Sequence, residues 1–171
     1  MSLKPFNQLP DHARLWVFPG DRRLSAAESA RILPDTDAFL EQWTAHKAAL
    51  AAARDWRYEQ FLMVAVDEST AGASGCSIDA LVRFIRDQEN RLGIRLTDNS
   101  PVWYRSRTGR VESVSRAEFQ RMAEQGDVTP RTVVFDNTVE TVGALREGKW
   151  ETPATNSWHG RAFKLTPVPS S

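Results

Sequence analysis

Cysteine is nearly missing from this chain, with one thiol, Cys76, in 171 residues. A lone cysteine cannot close an internal disulfide, and with no secretory leader at its start the sequence fits a reducing compartment. A cytoplasmic location is therefore expected. Histidine is scarce too: His12, His46 and His159 are scattered, and with a single cysteine they give no zinc-ligand spacing. No metal and no cofactor is expected. Charge of one sign is also lacking. The 22 lysines and arginines balance 22 aspartates and glutamates, which leaves no global attraction to nucleic acid or to an anionic membrane. The longest apolar run falls far short of the roughly 20 residues that a membrane-spanning helix needs. Neither nucleic acid nor membrane is an expected partner.

What is present suits one packed domain, since the chain is long enough to bury a sizeable core without staples. The proline-interrupted start, residues 1–12, is expected to fray, and the end, residues 166–171, to be disordered. Residues 13–165 read as a single α+β domain, with 13–96 and 102–163 as sub-structures on either side of the polar run "TDNSP". "RLWVF" reads as a strand ended by "PGD". Ser25 and Glu28 then stand in capping-box spacing at a helix start. Pro34 is expected to break that helix, with Asp35 restarting it through "TDAFLEQWTAH", where Phe39, Leu40, Trp43 and His46 share an apolar edge. "RYEQFLMVAVDE" turns from alternation to a continuous apolar run, the pattern of a strand buried on both faces and central in its sheet. Ile78, Leu81, Val82 and Ile85 then recur at helical spacing, and Gly93 is placed to end that helix.

In the second half, "VWYRS" and "RVESV" around "RTG" read as a hairpin with glycine in its turn. Ser115 and Glu118 stand in capping-box spacing, with Val114 and Phe119 as a hydrophobic staple. Gly126 closes that helix, "TPRTVVF" supplies a turn and strand, and Thr138 is expected to cap a short helix in "NTVETVGALREG". The fold expected is α+β, with a mixed or largely antiparallel sheet, packed helices, and a hairpin-helix-strand C-terminal half.

Two resemblances attach to these strings. "FLMVAVDESTAGASGCSID", "TVVFDNTVETVGALREGKWETP" and "SWH" make the chain, from Leu15 to Phe163, similar to an uncharacterised bacterial family of small soluble proteins marked by a Gly-Ala-Ser-Gly-Cys-Ser-Ile-Asp string. Some members of that family carry an ABC transporter ATPase label. This chain does not support it, because no Gly-x-x-x-x-Gly-Lys-Ser/Thr occurs. The resemblance implies kinship and no mechanism. Residues 102–135 also resemble bacterial GYF-type domains, small modules regarded as peptide binders, although the Gly-Tyr-Phe string is missing.

The candidate site centres on "STAGASGCSID". A cysteine at a helix N-terminus meets unpaired backbone N–H groups and the positive end of the helix dipole, both of which favour a thiolate, while Asp79 opposes one. The competing view makes Gly75, Cys76 and their neighbours a small-residue contact packed against the central strand, with the thiol buried. Gly72, Ser74 and Gly75 fall short of a nucleophile elbow, which would need glycine at Cys76. Without lysine, the N–H groups of Gly75, Cys76 and Ser77 still suit an anion. Asp67, Asp136 and Asn137 follow predicted strands and would share one rim with Cys76 and Ser77 if those strands ran side by side, with Trp158 and His159 closing over it. Trp150 and Trp158 are candidates for an aromatic surface. Two functions compete. One is a non-enzymatic binding or interaction module for a small anionic ligand or a peptide; the other is a thiol-dependent enzyme with Cys76 as nucleophile and His159 as base.

Overall fold

The computed structural model describes residues 3–167; the last four residues of the expected disordered tail lie outside them. In chain order the elements are β1 (Arg14–Pro19), α1 (Ala26–Glu41), β2 (Thr44–Ala45), β3 (Ala48–Ala49), β4 (Ala51–Arg57), β5 (Phe61–Asp67) and α2 (Gly75–Leu92). They continue with β6 (Val102–Arg105), β7 (Val111–Val114), α3 (Arg116–Glu124), β8 (Val133–Phe135), α4 (Val142–Arg146), β9 (Glu151–Pro153) and α5 (His159–Ala162). The fold is α+β, and every pair of named strands is antiparallel. The chain forms two compact units: Met1–Thr97 with Val139–Arg146, and Asp98–Thr138 with Glu147–Ser171.

In the first unit a three-stranded sheet runs β1-β5-β4, with the apolar β5 in the middle. Its alternate residues Leu62, Val64 and Val66 join Leu40, Leu81 and Ile85 of the helical layer, and Trp43 just past α1, in one core. Phe61, Met63 and Ala65, on the opposite face, are equally without exposure. Burial on both faces is what a run without alternation encodes. Both sheet edges are covered. Leu3 bridges Ala52 on β4, and Lys4 donates its N–H to the Ala52 carbonyl at 2.7 Å. On the other edge Thr141 bridges Arg14, and Leu15 N–H donates to the Glu140 carbonyl at 2.9 Å. Residues 3–12, expected to fray, are thus tied down, with Leu9 only 5% exposed and Asp11 paired to Arg146 at 2.7 Å. Backbone hydrogen bonding to a sheet edge outweighs the local proline signals there.

The expected break at Pro34 does not occur. Helix α1 runs through it, opened by the full Ser25–Glu28 capping box. The carbonyl that loses its helical donor belongs to Ala30, an exposed residue that water can serve, while Ile32 and Leu40 on the inner face hold the helix to the core. The helix stops at Glu41, however, and the segment expected to be helical through His46 becomes the β2–β3 hairpin. His46 and Lys47 sit at its turn with φ of 50° and 67°, the left-handed pair that a two-residue hairpin loop requires. A second such turn, at Tyr58 and Glu59, cuts the expected "RYEQFLMVAVDE" strand, so that β5 begins only at Phe61.

The second unit holds a four-stranded sheet in the order β7-β6-β8-β9. The hairpin turn carries Gly109 at φ 84°, as the sequence requires. Phe119 and Ala123, one turn apart on α3, pack with Val102, Tyr104, Val134 and Phe163. Ser115 caps α3 by accepting the Glu118 N–H at 3.0 Å. The reciprocal half of the expected capping box is not made, because the Glu118 carboxylate pairs with Arg121 instead. Thr138 does not cap a helix either. That role falls to Thr141, which accepts the Ala144 N–H at 3.0 Å at the start of α4 in the first unit.

Candidate functional site

The start of α2 is built by reciprocal serines. Ser74 Oγ accepts the Ser77 N–H at 3.2 Å, and Ser77 Oγ accepts the Ser74 N–H at 2.6 Å. This capping box uses two of the N–H groups that a helix start leaves over, and those of Gly75 and Cys76 have no partner among the described residues. Ser77 is buried, and its carbonyl accepts the Trp43 indole N–H at 2.8 Å, which fastens the end of α1 to the start of α2. A cleft of about 450 Å³ lies along this junction. Phe39, Trp43 and His46 line it on one side, and Ser74, Cys76 and Ser77 on the other. Its aromatic side is stiffened by ring contacts, with Phe39 5.8 Å from Trp43 and stacked on Phe84 at 4.7 Å.

Cys76 is exposed, which corrects the expectation of a thiol buried by small-residue packing. Gly75 is exposed as well, and a Cβ built on it would meet nothing within 4 Å. The tight approach of the loop to the central strand is therefore absent at that position. Asp67 closes a local turn at the end of β5, its Oδ1 accepting the Ser69 N–H at 3.0 Å and hydroxyl at 2.6 Å. Those bonds, the hydroxyl's first, hold the carboxyl below its usual range. His12 Nε2 lies 3.9 Å from the same oxygen.

The remaining sequence-predicted residues belong to the second unit. Asp136 makes the same kind of turn at the end of β8, accepting the Thr138 N–H at 3.0 Å. Asn137 Oδ1 accepts the Trp150 indole N–H at 2.9 Å. Trp150 is 1% exposed and packs against Phe135 with its ring tilted, so it offers no aromatic surface. Trp158 is half-buried, with the Arg116 guanidinium over its ring at 5.0 Å and the His159 ring stacked on it at 3.8 Å. His159 has no exposed surface; its Nδ1 lies 2.7 Å from Ser157 Oγ, and its Nε2 has no hydrogen-bond partner among the described residues. Burial pushes its pKa down to about 4; Asp136 pulls the other way, and Arg116 adds to the lowering. The single rim that was expected needed β5 and β8 side by side in one sheet, and they are strands of separate sheets.

No family model, curated protein or solved structure matches this chain. The site therefore stands on its own geometry. Sequence reasoning reached Gly75, Cys76 and Ser77 but missed that Phe39, Gln42, Trp43, Thr44 and His46 line one cleft with Cys76 and Ser77. A signal for half of this existed, since Phe39, Trp43 and His46 share an apolar edge in the sequence. Only the Trp43 indole bond to Ser77, a contact across 34 residues, joins that edge to α2. Among the described residues no three histidine, cysteine, aspartate or glutamate side chains converge as a metal site.

Proposed function

We infer that the protein is a non-enzymatic binding module, and that its first unit takes a small ligand in the cleft beside the start of α2. The cleft itself carries the reading. At about 450 Å³ it has the size of a small-molecule site, and it combines ring faces with a few polar groups, as such sites do. Phe39 and Trp43 suit an apolar or aromatic body, and the N–H of Cys76, with that of Gly75 beside it at the helix start, suits an anionic end. The bacterial cytoplasm, where an unpaired exposed thiol persists, is the location that goes with this reading, as does kinship to the family marked by the Gly72–Asp79 string. Titration of aromatic carboxylates against the labelled protein tests it, by amide and indole NMR. Shifts should concentrate at Gly75, Cys76 and the Trp43 indole. Millimolar ligand that leaves those signals still would end the reading.

A second reading, thiol-dependent catalysis by Cys76, is favoured by one observation: the thiol is exposed in a cleft whose opposite side carries His46. His159 suits the part of base poorly, being wholly buried and held neutral. If Cys76 is the nucleophile and His46 its base, His46→Ala should slow its modification by an alkylating reagent across the pH range. Identical profiles for the two proteins would remove His46 from the reaction.

A further inference from the structure

The second unit carries a groove of about 890 Å³ that none of the expected site residues line. Part of its lining is apolar and largely withdrawn from solvent: Tyr104 and Val128 are buried, Met122 and Val133 half-buried. The exposed part is charged. The guanidinium groups of Arg107, from the β6–β7 turn, and Arg131, from the segment before β8, have no hydrogen-bond or ion partner among the described residues. Arg105 also lines the groove, but Glu151 pairs with it at 3.1 Å and it adds little net charge. Asp127 is the one carboxylate in the lining. Two unpaired guanidinium groups thus face one carboxylate beside an apolar strip, in a chain that is otherwise electrically balanced.

We propose that this groove docks an extended acidic segment of a partner protein, with carboxylates on Arg107 and Arg131 and an apolar side chain against the half-buried Met122 and Val133. Guanidinium forks match carboxylates in paired hydrogen bonds, which a compact ammonium cannot do. Methionine adapts its shape to an inserted side chain. A free inorganic anion would use the arginines and leave the apolar lining idle, whereas a polypeptide segment uses both. A nucleic acid strand is the poorer match, because it calls for rings on which bases can stack. Tyr104, the groove's one aromatic side chain, is only 5% exposed, with its hydroxyl donated to Glu112 at 3.1 Å.

Fluorescence anisotropy of the full chain tests this with a labelled peptide of alternating glutamate and leucine. Its glutamine counterpart and a mixed-sequence single-stranded oligonucleotide serve as comparison probes. The glutamate peptide should bind and weaken with added salt, and the glutamine peptide should bind roughly tenfold less tightly. Joint Arg107→Ala and Arg131→Ala substitution should cost roughly tenfold or more in affinity, at an unchanged melting temperature. Asp127→Asn should tighten binding a few-fold, a gain that no loss of folding can mimic. The proposal is overturned if the glutamate peptide fails to bind at millimolar concentration, or if the glutamine peptide binds equally well. Indifference of binding to these substitutions, or tighter binding of the oligonucleotide, would overturn it too.

Discussion

Cys76 and His159 have the chemistry of a catalytic pair in the sequence, and they differ in almost every physical respect in the structure. Cys76 sits at the second position of an 18-residue helix, exposed on the wall of a cleft at the helix start. His159 has no exposed surface, stacks on Trp158 and has Ser157 within hydrogen-bonding distance. The contrast teaches that residue type nominates a function and surroundings assign it. A thiol among serines and glycines at a helix start is open because its neighbours are too small to cover it. An imidazole between aromatic rings behaves as one more ring of the core.

The largest effect that should separate the two is on stability. His159→Ala empties a fully buried, ring-packed site and should cost about 2–4 kcal/mol, whereas Cys76→Ala on an exposed helix turn should stay within about 0.5 kcal/mol. Urea unfolding of both variants measures this, and similar costs would erase the distinction. Acid provides the next test. The folded protein does not protonate His159 until about pH 4, while the unfolded chain takes up that proton near its ordinary value of 6.5. The stabilisation is whole above the unfolded value and drains away as pH falls toward the folded one, by about 3 kcal/mol at most. His159→Phe should remove that part of the slope between pH 6.5 and 4; an unchanged slope would show that other groups carry it.

How far the sequence could be read follows the range of the interactions. Local hydrogen bonding was legible: the Ser25–Glu28 box, the left-handed Gly93 after α2, and the Gly109 hairpin turn all follow from neighbouring residues. So was the centrality of β5, because burial on both faces leaves a pattern within the strand itself. The alanine-rich β4 carries little β propensity and is stabilised by pairing with β5, and the turns at His46–Lys47 and Tyr58–Glu59 lack glycine, asparagine and aspartate. The return of residues 139–146 to β1 is a long-range pairing that no local pattern announces. At the candidate site, Gly75, Cys76 and Ser77 were found because the helix start is local. Their aromatic neighbours were not assigned to it, and the exposure of Cys76 was misjudged because small residues fit equally a tight contact and an open one.

Glycine gives a smaller test of that last ambiguity. Gly143 N–H donates to the Asp11 carbonyl at 2.7 Å, and a Cβ on Gly143 would lie 2.9 Å from the same oxygen. Gly143→Ala should therefore cost about 1–3 kcal/mol. Gly75→Ala meets open space at the first helical position and should be neutral or stabilising by about 0.5 kcal/mol. Thermal melts of the two variants decide it, and a destabilised Gly75 variant would restore the close-packed loop.

The central claim, that the cleft beside α2 is open and Cys76 stands on its wall, is tested most directly by the rate at which a small disulfide reagent modifies the native thiol. Because Cys76 is exposed, the native rate should lie within about tenfold of that of the urea-unfolded chain. A native thiol protected by about a hundredfold or more would mean that the small-residue loop buries it after all, and would contradict the account.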